Sequence, residues 1–317
     1  MEYITINLNE FNYDEIQIFA GQNDSNLEII EKSFKTNCIL RNQELKFEEI
    51  DNRQDLIDVV QRCFDLIGQQ RQLTNQDVLY LCKLALSHKL KTFEVSQLTP
   101  VGKTKTGKMI YPKTSGQAKL VDAFKKNDIV FATGVAGTGK TYLAVVYAVM
   151  QLKSEKIEKI VLTRPAVEAG ESLGFLPGDM KEKVDPYLRP LYDALYDMLG
   201  QETTERYIDK QIIEIAPLAF MRGRTLNNAI VILDEAQNTT KAQMKMFLTR
   251  MGKNSKLIIN GDVTQIDLIK KADSGLTQAV SILKGIDGIE ILHLSVNDVV
   301  RHPLVQKIIE RYAKVEK

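Results

Sequence analysis

Ile129-Val130-Phe131-Ala132-Thr133 runs directly into Gly134-Val135-Ala136-Gly137-Thr138-Gly139-Lys140-Thr141, and Tyr142 to Leu152 follows as a segment of helical length. An apolar run, a glycine loop and a helix in that order make a G-x-x-x-x-G-K-[ST] match a phosphate-binding loop rather than a chance turn. Backbone N–H groups of such a loop and of the helix N-terminus converge on phosphate oxygens, and the helix dipole favours negative charge there. On this reading Gly134, Val135, Ala136, Gly137, Thr138 and Gly139 form the cradle for a nucleoside triphosphate. Lys140 reaches the β- and γ-phosphates, and the Thr141 hydroxyl ligates Mg²⁺.

Outward from the loop the pattern repeats. Apolar runs recur at Ile160–Thr163, Ile212–Ala216, Ile230–Leu233, Leu257–Ile259 and Ile289–Leu292, with helical stretches between them such as Thr240–Met251, Leu276–Leu283 and Val299–Val315. Near-continuous apolar strands alternating with helices predict an α/β domain, residues 116–317, whose parallel sheet is covered by helices. Before it, a weak strand Ile4–Leu8, a helix Asn26–Phe34, a hairpin Cys38–Arg41 and Glu44–Phe47, and a helix Arg53–Ile67 predict a small α+β module, residues 1–97. Another helix is expected over Asn75–Lys89. Residues 98–115 connect the two parts and carry Lys103, Lys105, Lys108 and Lys113 among threonines. That stretch suits either a solvated connector, including a β-hairpin, or a strip of phosphate contacts for nucleic acid.

Two further motifs complete a site. Asp234-Glu235 directly follows Ala229–Leu233, so a strand delivers two carboxylates at its C-terminal end. Asp234 is expected to hold Mg²⁺ and Glu235 to position or activate the attacking water. Alone, such a pair could equally cap the next helix; after a phosphate loop in the same domain it reads as catalytic. The 94 positions from Lys140 to Asp234 are compatible with neighbouring strands. Gly261-Asp262-Val263-Thr264-Gln265 also ends a strand, and the amide of Gln265 suits a γ-phosphate sensor because it can both donate and accept.

Composition excludes other classes. Apolar residues at 44% with 26% charged suit a soluble globular chain. The start lacks the charged and apolar regions of a signal peptide, and no apolar run is long enough for a membrane span, so a cytoplasmic protein is expected. Cys38, Cys63 and Cys82 fit neither a zinc cluster nor a disulfide framework. His88, His293 and His302 show no metal spacing, and no Ser/His/Asp or Cys/His arrangement suggests a covalent nucleophile. Ten Lys/Arg against sixteen Asp/Glu give residues 1–100 a net charge of −6, and the total of +1 leaves +7 to the remainder. Nucleic acid would therefore meet the second part more readily than the first.

Walker A, Asp-Glu-Ala-Gln and Gly-Asp-x-x-Gln together resemble the motor motifs of superfamily 1 helicases, implying a RecA-like P-loop NTPase fold. Gln117, ahead of the first strand, looks like the adenine-reading glutamine of those motors, which would favour ATP. More narrowly, the chain resembles the PhoH-like ATPase family, in particular its YbeZ-type branch. The resemblance rests on Tyr111-Pro112-Lys113-Thr114 with Gln117, the phosphate loop, and Thr163-Arg164-Pro165-Ala166-Val167-Glu168-Ala169-Gly170-Glu171 running to Gly174-Phe175-Leu176-Pro177-Gly178-Asp179. It continues in Met221-Arg222-Gly223-Arg224-Thr225, Asp234 to Thr240, Gly261 to Gln265 and Asp298-Val299-Val300-Arg301-His302-Pro303.

The resemblance implies Mg²⁺-dependent ATP hydrolysis in RNA metabolism, with single-stranded RNA, a homo-oligomeric ring of hexamer type and a YbeY-type endoribonuclease as partners. It also implies a KH-like leading module. Gly21-Gln22-Asn23-Asp24, however, lacks the second glycine and the basic residues of a KH backbone clamp, so protein docking stands beside RNA binding for that module. Superfamily 1 motors use two motor domains and this chain holds one, so an arginine finger is expected in trans from a neighbouring subunit. Arg301 is the first candidate, ahead of Arg222, Arg224 and Arg164. Arg164 is also expected to meet a nucleic-acid backbone. A small-molecule kinase is disfavoured, and an ATP-switched binding protein without translocation remains the alternative.

Overall fold

The computed structural model describes residues 3–69, 73–90, 99–165, 180–268 and 270–300, with Val305, Ile308 and Arg311. The chain forms two compact units, Met1–Leu98 with Val300–Lys317, and Thr99–Val299. The last segment, read from sequence as the end of the ATPase domain, thus groups with the first unit. The expected helix Val299–Val315 lies largely outside the described residues.

In the first unit β1 (Tyr3–Asn7), α1 (Tyr13–Ala20), α2 (Ser25–Phe34), β2 (Cys38–Arg41), β3 (Glu44–Glu48), α3 (Arg53–Gly68) and α4 (Asn75–Leu86) follow in order. The sheet is antiparallel with β3 central, order β1-β3-β2. Asn42 and Gln43 join β2 to β3 with φ of 52° and 58°. Positive φ at both loop residues matches the right-handed twist of the paired strands, which is why a polar two-residue turn sits there. Helix α1, unassigned from sequence, starts at a reciprocal cap in which Asn12 accepts from Glu15 N and Glu15 accepts from Asn12 N, both at 2.9 Å. Phe19, Ile30, Leu45, Phe47, Leu56 and Val59 are buried at the centre. Cys63 and Cys82 are buried free thiols, and burial pushes the Cys82 thiol up to about 12.

The second unit opens with the hairpin β4 (Gly102–Lys103) and β5 (Met109–Ile110), then α5 (Ser115–Lys126), β6 (Ile129–Gly134), α6 (Lys140–Lys153) and β7 (Lys159–Arg164). Helices α7 (Met180–Leu199) and α8 (Gln201–Asp209) precede β8 (Ile213–Pro217) and β9 (Ala229–Leu233). Helix α9 (Lys241–Leu248), β10 (Lys256–Gly261), α10 (Gly275–Ile282) and β11 (Ile289–Leu294) complete it. The six strands β6 to β11 form one parallel sheet in the order β11-β6-β10-β9-β7-β8.

Side chains alternate across each strand and so feed two cores. Val130, Ile160, Leu162, Ile230, Ile232 and Ile258 pack beneath α5, α6 and α7. Phe131, Val161, Val231, Leu233, Leu257 and Ile259 pack beneath α9 and α10. Burial on both faces explains why the four inner strands read as continuous apolar runs. Strand β10 lies between β6 and β9, so the phosphate-loop strand and the Asp-Glu strand are not neighbours. That corrects the expectation from their spacing, and the intervening strand carries the third motif. The strand order switches sides at β6, since β7 lies to one side of it and β11 to the other; in open α/β sheets ligands bind at the carboxyl ends beside such a switch point.

Candidate active site

The phosphate loop leaves β6 through Gly134, whose φ of 134° a side chain rarely adopts. A Cβ there would also lie 2.1 Å from the carbonyl oxygen of Leu294, so only glycine lets the loop leave beside β11. Lys140 folds back over the loop, its Nζ donating to the carbonyls of Gly134 at 2.6 Å and Val135 at 3.0 Å. Its ammonium therefore sits over the concave side of the Gly134–Thr138 turn, at the N-terminus of α6. Gln117, buried in the first turn of α5, donates to the carbonyl of Thr138 at 2.9 Å and accepts from Lys113 N at 2.7 Å. The amide latches the loop to the connector; pairing with adenine would replace these bonds.

Although β10 separates their strands, Thr141 and Asp234 meet: the hydroxyl donates to Asp234 Oδ1 at 2.6 Å. Asp234 is 5% exposed. Burial raises its pKa, against the lowering effects of Arg164 and the Thr141 hydrogen bond. Glu235 turns back toward the site with φ 52°, a left-handed conformation uncommon for glutamate and found where surroundings over-determine the backbone. Its Oε2 accepts from Gln237 Nε2 at 2.6 Å. The same Nε2 donates to the Gln265 carbonyl at 3.1 Å, and Gln237 Oε1 accepts from Asp262 N at 3.0 Å. One buried amide thus fixes the Asp-Glu turn to the Gly-Asp-x-x-Gln turn. Gln265 itself is exposed, with its backbone carbonyl held by Gln237.

A donor set of one hydroxyl and one carboxylate suits a hard cation that takes its other ligands from phosphate and water. Thr163 Oγ1, the Asn260 amide and Asp262 Oδ2 are buried at the same strand ends without a protein hydrogen-bond partner. Oxygen-rich, unsatisfied lining of this kind fits Mg²⁺ with Thr141 and Asp234 as protein ligands. Among the described residues no cluster of three or more His, Cys, Asp or Glu forms a separate metal cage.

Several residues lie differently from their sequence reading. Arg164, expected to face nucleic acid, turns inward: its Nε lies 3.2 Å from Asp234 Oδ2 and its Nη2 donates to Glu235 Oε1 at 2.7 Å. Arg224 grips Glu214 with two nitrogens, one at 2.8 Å to Oε2, and Lys159 joins that carboxylate at 2.7 Å. The arginine holds the Glu214 carboxyl down at about 2. Of the expected finger candidates, Arg222 remains exposed beside Phe220, which is 56% exposed. Arg301 lies outside the described residues, as do positions 166–179 of the resemblance motif.

Asp298 had no assigned role. Its Oδ1 accepts from Thr114 Oγ1 at 2.8 Å and from Gly116 N at 3.1 Å, while Oδ2 accepts from Ser295 N at 2.8 Å. It ties the start of α5, and with it Gln117, to the turn after β11. Exposed Lys103, Lys105 and Lys108 line the β4–β5 hairpin, whose Gly102 packs against Val146, Met150 and Met198. Among the described residues no helix is long and apolar enough to cross a membrane.

A P-loop, a strand-end Asp-Glu pair and a third strand-end turn, joined by hydrogen bonds at one edge of a parallel sheet, are the working parts of a nucleotide-binding ATPase. Comparison with solved structures finds partial likeness to the Sulfolobus solfataricus SWI2/SNF2 ATPase core in complex with dsDNA: 12% identity, TM-score 0.33, covering 57% of this chain and 46% of that one. The large terminase from a thermophilic bacteriophage gives 12% identity and a TM-score of 0.40 over 62% of this chain and 50% of its own. Those scores add nothing to what the sheet order shows. Sequence relatives are much nearer. A PhoH-like protein of Bacillus subtilis is 56% identical over 304 residues, 96% of this chain and 95% of the relative. One from Synechocystis is 44% identical over 298 residues, covering 94% and 91%. Protein PhoH of Escherichia coli is 44% identical over 206 residues, covering 64% of this chain and 58% of its own length. The family model described as PhoH-like protein matches residues 109–313, which include every motif of the site, and the chain belongs to that family.

Proposed function

We propose that the protein hydrolyses ATP with Mg²⁺ and couples hydrolysis to remodelling or processing of single-stranded RNA. The observation that carries this reading is the bonded convergence of Thr141, Asp234, Glu235 and the Gln265 turn on the carboxyl edge of the sheet. The Gly134–Thr141 backbone binds the phosphates, and Lys140 exchanges its loop carbonyls for phosphate oxygens. Thr141 and Asp234 would hold the metal, which when bound neutralises charge on the phosphates. Glu235, held in place by its arginine and amide partners, orients a water and accepts its proton. Gln265 reads the γ-phosphate from the neighbouring turn. Gln117 supports ATP as the nucleotide by its place beside the loop.

For RNA, support comes from the +7 charge of residues 101–317 and the exposed lysines of the β4–β5 hairpin. Phe220 and Arg222 on the exposed turn after β8 add a stacking ring and a cation. A ring of subunits would let Arg301 of one subunit act as the finger on the phosphates bound by its neighbour. A YbeY-type endoribonuclease is the partner the first unit would dock. The test is ATP turnover with and without single-stranded RNA, paired with a mass measurement of the assembly. Turnover that rises with RNA supports the reading. Slow turnover unaffected by RNA but changed by a protein partner would replace it with an ATP-switched binding protein.

A further inference from the structure

The motifs of a P-loop ATPase place acids and amides around the nucleotide, and nothing in them explains a cation bound to both catalytic carboxylates. Arg164 is that cation. It ends β7, whose Thr163 is in register with Leu233 of β9, so its side chain reaches the two residues that follow Leu233. Its guanidinium lies 3.2 Å from Asp234 Oδ2 and bonds Glu235 Oε1 at 2.7 Å, and the side chain is 17% exposed. The other oxygen of each carboxylate is already engaged: Asp234 Oδ1 by Thr141 and Glu235 Oε2 by Gln237. Glu235 is thus held on both oxygens in its left-handed turn, and Asp234 faces a positive charge on the side opposite Thr141.

We propose that Arg164 is a built-in counter-cation: it positions Glu235 for hydrolysis and keeps divalent metal off Asp234 until nucleotide brings the metal in. A carboxylate as buried as that of Asp234, 5% exposed, needs a positive partner. Arg164 supplies one charge where a divalent ion supplies two, so the pair is stable without metal yet yields when phosphate oxygens complete the metal's coordination shell. Metal binding to the protein alone is then weak, and metal enters with the triphosphate.

The inference rests on the assignment of Asp234 as metal ligand and Glu235 as base, and its test separates the two. Mn²⁺ binding to the nucleotide-free full chain is followed by the electron paramagnetic resonance signal of free Mn²⁺, for wild type, Arg164→Gln and Arg164→Lys. The expected result is Mn²⁺ affinity raised about tenfold or more in Arg164→Gln and little changed in Arg164→Lys, which keeps the charge. Alongside, Arg164→Gln lowers kcat about tenfold or more with KM for ATP within about twofold, and Arg164→Lys recovers part of kcat. Unchanged Mn²⁺ affinity in a folded Arg164→Gln protein overturns the proposal. If Arg164→Gln does not fold, Arg164→Lys decides: a Lys variant that binds Mn²⁺ far more tightly than wild type also overturns it. The Mn²⁺ measurement needs no hydrolysis, so a failed base assignment would show in Glu235→Gln turnover while leaving this result standing.

Discussion

Glu235 and Gln237 show how single residues set the chemistry. A glutamate at φ 52° carries strain on the order of 1–3 kcal/mol. Gln237 offsets it locally by bonding the Glu235 carboxylate, the Gln265 carbonyl and the Asp262 N–H at once. If Glu235 is the base, as proposed, Gln237→Ala should lower kcat by roughly tenfold to a hundredfold with little change in KM for ATP, because Glu235 loses its aim while the phosphate loop is intact; steady-state kinetics at saturating and low ATP read the split. Gly116 is a second such position. A Cβ there would stand 2.3 Å from Asp298 Oδ1, displacing the carboxylate that bonds Thr114 and the Gly116 N–H. Gly116→Ala is expected to destabilise the fold by about 2 kcal/mol, lowering Tm by roughly 4–8 °C in a thermal melt. The same change loosens Gln117 from Thr138 and should raise KM for ATP.

At the scale of elements, each of the six runs from Ile129 to Leu292 became a strand, and the four inner ones, β6, β7, β9 and β10, were the most legible because burial on both faces makes a strand continuously apolar. The places of the glycine loop and the Asp-Glu pair were legible for a different reason: each directly follows an apolar run that became a strand, β6 and β9. What stayed hidden has physical causes. Pro186 and Pro190 lie within α7 and ordinarily argue against a helix, yet the face bearing Leu188, Leu191, Leu195 and Met198 packs under the sheet. The partners of Arg164, 70 and 71 positions away, depend on which strands become neighbours, and strand order is not written in local pattern.

The edge of the sheet carries a pH-sensitive element of the same kind. Glu214 on β8 is held down at about 2, first by Arg224 and then by Lys159 on β7. A depressed carboxyl contributes stability that is present above its ordinary value of 4.5 and is lost as pH falls through that value toward 2. Glu214→Gln should thus lower stability at pH 7 by on the order of 1–2 kcal/mol, after solvent screening at the sheet edge, with the difference from wild type shrinking below pH 4. Denaturant melts of both proteins across that range check it.

For the whole molecule, the distribution of charge is the informative feature. With Val300–Lys317 counted in it, the first unit has a net charge of −3 and the second, Thr99–Val299, of +4, so under the proposed function an anionic polymer would meet the second unit more readily. Reversing Lys103, Lys105 and Lys108 should weaken binding of single-stranded RNA and flatten its salt dependence while leaving ATP affinity nearly unchanged, as titrations at several salt concentrations would show. Arg164 is left out of that set because it serves the carboxylates instead. If a finger acts between subunits, mixing Arg301→Ala with Lys140→Ala chains restores part of the ATPase activity, and no rescue at any ratio removes Arg301 from that role. The central claim, that this strand-end cluster hydrolyses a nucleotide through Glu235, is tested most directly by one paired measurement on Glu235→Gln: ATP affinity and turnover beside wild type. The account predicts ATP affinity within about threefold of wild type and turnover lowered by about 10²-fold or more. Unchanged turnover in Glu235→Gln, or a wild-type chain that binds no ATP, would contradict it.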